Sequence, residues 1–140
     1  MDNLDKAKEL LIKNNYTCVM CKGDEIFCSR ERGIKPLVDF YETKNISHGF
    51  SAADKTVGAG AAHMYVLLGI KELWVNIISE EGENILEKNN IRVTYEKKVP
   101  YIINRAGDGQ CPIERCVDGI CDSKEAFERI KETISQLEQK

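Results

Sequence analysis

A chain of 140 residues with 42% apolar and 31% charged side chains has the composition of one ordinary globular domain. Its net charge of −3, with 20 Lys and Arg scattered among 23 Asp and Glu, gives nucleic acid no basic face to bind. No apolar run approaches the roughly 18 residues that a bilayer span needs, and MDNLDKAKELL alternates charges where a signal peptide would carry a basic and then an apolar region. The expectation is therefore a single cytoplasmic domain over residues 1–140, without nucleic-acid or membrane partners, its six cysteines reduced.

In chain order, Asp2 to Asn15 is predicted helical, with Leu4, Ala7, Leu10 and Leu11 at helix spacing and acids in the first turn. YTCVMCKGDEIFCS alternates on both sides of Gly23-Asp24 and reads as a β-hairpin. Pro36 suits the first turn of a short helix through PLVDFYET, and the polar TKNISH offers no strand. Val57 to Leu68 is small and apolar nearly all round, as in a buried helix, with its start placed at Asp54 to Thr56. ELWVNIIS is a buried strand, EEGENILEKNN a helix, IRVTYEK a strand, and VPYIIN an extended continuation. After the loop RAGDGQ comes a turn of helix at CPIERCV, and Asp122 with Glu125 forms a D-x-x-E capping box for a last helix to about residue 139. This succession predicts a three-layer α/β/α domain with a mixed sheet of four or five strands.

The stretch GFSAADKTVGAG, residues 49–60, departs at one position from the phosphate loop G-x-x-x-x-G-K-[ST]. That position holds Asp54, whose carboxylate would meet the phosphate where the loop needs glycine, and no buried strand is visible before it. GAGAAH likewise imitates G-x-G-x-x-G, but His63 replaces the third glycine. Gly58, Gly60, Ala61 and Ala62 read more simply as close packing of a helix on a sheet.

GIKPLVDFYE, ADKTVGAGAA and VPYIINRAGDGQCPIE resemble a family of small prokaryotic proteins that carry a domain of unknown function and are grouped with the cytidine deaminase-like fold. The resemblance covers roughly residues 10–118 and implies that fold, with no established reaction to carry over. Deaminases of the fold hold zinc and a catalytic glutamate at helix starts reading H-x-E or C-x-E and P-C-x-x-C. The corresponding positions here are taken as Asp54, Lys55, Thr56 and then Ser79, Glu80, Glu81, Gly82, which include neither thiol nor imidazole. No zinc or other cofactor is expected.

Two constellations remain. Lys55 and Thr56 would add a cation and a hydroxyl to the N–H groups of a helix start, an outline of an anion site; the plainer alternative has Asp54 as a cap and Lys55 solvated. In NRAGDGQCPIE, Asn104, Arg105 and Asp108 supply polar groups beside two glycines. Cys111 precedes Pro112 as N-cap with Glu114 at the third position. A thiol there is either a nucleophile stabilised by the helix end or an inert cap. Cys18 and Cys21, three apart on a strand, point to opposite faces and cannot easily share a metal ion. Joined at one end of the sheet, Asp54, Lys55, Thr56, Ser79, Glu80, Asn104, Arg105, Asp108, Cys111 and Glu114 are expected to form one pocket for a phosphate- or carboxylate-bearing metabolite. Any chemistry would rest on Cys111, Asp54 and Lys55. A thiol-dependent transferase using Cys111 and a noncatalytic partner-binding domain are the alternatives, and excess apolar surface on Val57 to Ile70 suggests a homodimer.

Overall fold

The computed structural model describes residues 2–43, 48–104 and 106–138. Asp2 caps α1 (Asn3–Lys13), its carboxylate accepting the Asp5 N–H at 2.8 Å, and the helix buries Ala7 and Leu11 on one side. Strands β1 (Cys18–Lys22) and β2 (Glu25–Ser29) form the expected antiparallel hairpin. Gly23 takes the left-handed φ of +61° that its tight turn requires. Helix α2 (Lys35–Thr43) follows with Leu37, Val38 and Phe40 inward.

The element absent from the sequence reading is β3 (Ser51–Val57), the central strand of the sheet. Val57 therefore ends a strand, and α3 runs Ala59–Leu68. After it come β4 (Glu72–Ser79), α4 (Glu80–Lys88), β5 (Arg92–Val99), α5 (Pro112–Cys116) and α6 (Ser123–Glu138). The strand order is β2-β1-β3-β4-β5, with β1 antiparallel to both neighbours and β3, β4 and β5 parallel. This is a three-layer α/β/α arrangement on a mixed five-stranded sheet, as the order of elements predicted.

Successive strand residues face opposite layers, and the two apolar clusters follow that alternation. On one side α1 packs on Val19, Cys21, Ala53 and Trp74. On the other, α2, α3 and α4 pack on Cys18, Met20, Ala52, Leu73 and Val75, so Cys18 and Cys21 do fall on opposite faces. Helix α3 is buried nearly all round because α5 and α6 lie behind it, with Ala126 and Ile130 fully buried. The apolar surface that the sequence reading assigned to a second copy is thus covered within the chain.

Helix α6 also corrects a detail. The Asp122 carboxylate accepts the Lys124 N–H at 3.3 Å rather than the Glu125 N–H that a capping box would use. The α1 side is covered differently, since one helix cannot span five strands. It lies over β1 and β3 and leaves Asn76, Thr94 and Glu96 of the last two strands exposed.

Candidate functional site

Asp54 stands inside β3, between Cys18 of β1 and Val75 of β4, and so caps no helix. Its buried carboxylate accepts the Tyr65 hydroxyl at 2.6 Å and the Thr56 N–H at 3.0 Å. Burial pushes the Asp54 carboxyl up to about 7, outweighing the bonds from Tyr65 and Thr56 that favour its charged form. Burial first, and then the Asp54 charge, raise the Cys18 thiol and the Tyr65 hydroxyl in turn. Thr56 is exposed at the strand's end.

The helix that follows starts at Gly58, whose lack of a side chain leaves the cap to be supplied from elsewhere. Glu114 supplies it. Its carboxylate, only 5% exposed, accepts the Ala59 N–H at 3.0 Å and the Ile102 N–H at 2.6 Å. A Cβ on Gly58 would stand 2.9 Å from both Glu114 Oε2 and Ile102 Cγ1, and one on Gly60 would stand 2.6 Å from Ile113 Cγ2. The two glycines of GAG thus let α5 lie on the start of α3, and the anion that this helix end favours is the chain's own. Glu114 is consequently not the third residue of a box on α5, and the Cys111 N-cap makes no side-chain cap bond.

At the next helix start the buried Ser79 accepts the Gly82 N–H at 3.0 Å, while Glu80 is exposed. A Cβ on Gly82 would stand 3.1 Å from the Val57 carbonyl and 3.2 Å from the Gly58 carbonyl carbon, so α4 opens directly against the start of α3. Gly58, Ala59 and Gly60, not Asp54 to Thr56, form the first turn after β3, and they too offer neither thiol nor imidazole. Among the described residues no three His, Cys, Asp or Glu side chains converge in a way that could hold a metal ion.

The structure brings the helix starts at Ser79 and Gly58 together with Glu114 but spends their polar side chains on nearby backbone, Ser79 on the Gly82 N–H and Glu114 on the Ala59 and Ile102 N–H groups. Asn104 and Asp108 are spent on their own loop: Asn104 donates to Asp108 at 2.9 Å and accepts the Gly107 N–H at 2.8 Å. Cys111 is half-buried, its N–H bonded to the Ile102 carbonyl at 2.7 Å. Arg105 lies outside the described residues. His63 belongs to α3. It is fully buried, with Nδ1 2.9 Å from Ser123 Oγ and, among the described residues, no partner at hydrogen-bond geometry for Nε2. Burial lowers its pKa against the weaker pull of the Ile120 carbonyl, Glu81 and Asp122.

Lys55 leaves β3 on the other side of the sheet, toward α1, and donates to Asn15 Oδ1. The single pocket that was to join Lys55 with Cys111 is therefore divided by the sheet, because α5 lies with α3 on the opposite face. Lys55 opens instead into a cleft of about 440 Å³ between α1 and strands β4 and β5. Leu11 and the recessed Trp74, 7% exposed, form its floor. Lys8 reaches over the Trp74 ring at 4.8 Å from its centroid, and Asn15, Asn76 and Glu96 complete the polar wall. Neither Lys8 nor Lys55 has a carboxylate at ion-pair distance among the described residues. The sequence reading missed Lys8, Trp74, Asn76 and Glu96; the one signal for them was Asn76, a polar residue at the centre of an otherwise apolar strand.

The family model described as "Domain of unknown function (DUF1893)" matches residues 6–134. Among solved structures the chain is similar to a DUF1893 family protein (TM1506) from Thermotoga maritima, at 24% identity and a TM-score of 0.85, over 96% of this chain and 89% of that one. A dCMP deaminase from the cyanophage S-TIM5, in apo form, shares 13% identity at a TM-score of 0.46 over 69% of this chain and 94% of that one, a slight likeness. No curated protein matches. With a family match over residues 6–134, nearly its whole length, the chain belongs to the DUF1893 family.

Proposed function

We propose that this domain binds a small polar molecule bearing a carboxylate or phosphate, in the cleft between α1 and strands β4 and β5. One observation carries the reading: two ammonium groups line one cleft, Lys8 over the recessed Trp74 ring and Lys55 bonded to Asn15 Oδ1, and neither has a carboxylate at ion-pair distance among the described residues. An apolar floor with a few convergent polar groups is how small-ligand sites are commonly built. Ammonium donors on a partly enclosed wall give an acidic group charge-assisted hydrogen bonds. Of the residues singled out in the sequence, this reading keeps Lys55, while Asp54, Ser79, Asn104, Asp108 and Glu114 are hydrogen-bonded within the fold. Glu114 in particular serves Ala59 and Ile102, so it offers no base to a thiol reaction at Cys111.

Trp74 is the chain's one tryptophan, so its emission reports on the cleft floor. Titration with carboxylate- and phosphate-bearing metabolites is expected to shift that emission and raise the melting temperature, and Lys55→Ala to remove both responses. Equal responses in the parent and the variant would overturn the reading.

A further inference from the structure

The sheet register sets out the cleft wall more sharply than its lining alone. Lys55 lies between the paired positions Asp54↔Val75 and Thr56↔Ile77, and so stands opposite Asn76. Asn76 lies between Val75↔Tyr95 and Ile77↔Lys97, and so stands opposite Glu96. A cation, an amide and an anion thus form a row across three adjacent parallel strands on the face toward α1. Neighbouring strands are about 4.8 Å apart, which puts the backbone of Lys55 roughly 10 Å from that of Glu96. The two side chains make no ion pair with each other. Of the cations on the edge strand, Arg92 pairs with Glu72 at 3.9 Å and Lys98 with Glu83 at 3.0 Å.

Resting on the cleft reading above, we infer that its ligand is a zwitterion of the amino-carboxylate class. Its acidic end lies on Lys55 and Lys8, and its protonated amine on Glu96. A dianion would set its second charge against Glu96, and a diamine would set one of its charges against Lys55. Only a molecule with one charge of each sign matches both ends of the row. Asn76 between them both donates and accepts, so it serves the middle of such a molecule whichever polar group stands there. The Trp74 floor takes the intervening methylenes.

The test uses the full chain and ω-amino carboxylates of three to six carbons, each beside the carboxylate of equal length that lacks the amine, with Trp74 emission as readout. At least one amino carboxylate is expected to bind about tenfold more tightly than its match, the scale of one hydrogen bond to a charged group. Glu96→Gln, an isosteric change on an exposed strand position, is expected to bring that compound down to the affinity of its match while the plain carboxylate binds at least as well as before. Equal affinity within every pair, or a preference that survives Glu96→Gln, would overturn the inference and leave the cleft reading standing. No binding by either class, with Lys55→Ala indistinguishable from the parent, would overturn both.

Discussion

Asp54 and Lys55 are adjacent in sequence and belong to different layers of the molecule, because neighbouring residues of a strand face opposite ways. Asp54 faces α3 and is held by Tyr65, with its carboxyl pushed from an ordinary 3.8 up to about 7. A group whose folded pKa is raised contributes stability that is complete below the unfolded value and is lost as pH rises through the folded one. For Asp54 that window runs from about 4 to about 7. His63 acts in the other direction: burial lowers its pKa beneath 6.5, so its contribution holds above that value and is lost as pH falls below it. Asp54→Asn is expected to remove an alkaline loss of about 2–4 kcal/mol between pH 5 and pH 8. Denaturant unfolding of parent and variant across that range checks it, since the difference between the two cancels the share of His63. Parallel profiles would show that Asp54 does not titrate there. Both residues stood out in the sequence as chemically conspicuous, but no strand was visible to separate them. Read as one helix start, they became one site.

At the scale of elements, β3 escaped the sequence reading because SAADKTV opens on Ser, two Ala, Asp and Lys, has no aromatic residue, and holds its β-branched residues, Thr56 and Val57, only at its end. Its alanines serve the centre of a sheet packed on both faces, where Ala52 and Ala53 leave room for helices on either side. The alternating hairpin and the amphipathic first helix were legible because their patterns have a clear period. GAG was legible as close packing, but its partner was not, since the contact with Ile113 and Glu114 spans more than fifty residues of sequence. Two changes test that joint. Gly60→Ala is expected to cost about 1–3 kcal/mol by overpacking against Ile113. Glu114→Ala leaves the buried Ala59 N–H and the half-buried Ile102 N–H without their acceptor and is expected to cost about 1–3 kcal/mol, with Glu114→Gln recovering part of it. Amide hydrogen exchange at Ala59 and Ile102 should quicken in Glu114→Ala and stay slow in the parent; unchanged exchange would remove Glu114 from the cap.

For the molecule as a whole, the class of fold was readable from the order of elements, whereas the covering of its faces was not. Nothing in the apolar Val57 to Leu68 stretch says whether a second copy or a later helix buries it; α6 does so from within the chain. Ile130→Ala should accordingly cost about 2–5 kcal/mol, because it empties a fully buried position between α6 and α3. Calorimetric melting of parent and variant checks this, and a loss below 1 kcal/mol would mean that α6 is not seated on α3 as described. The other face carries the functional claim. One helix over a five-stranded sheet leaves β4 and β5 open beside it, and the cleft lies in that gap. Mapping amide chemical-shift changes over the whole chain on addition of an amino carboxylate that quenches or shifts Trp74 emission tests this most directly. The account predicts changes concentrated at Lys8, Asn15, Lys55, Trp74, Asn76 and Glu96; changes centred instead on Gly58, Ser79 and Cys111 would contradict it.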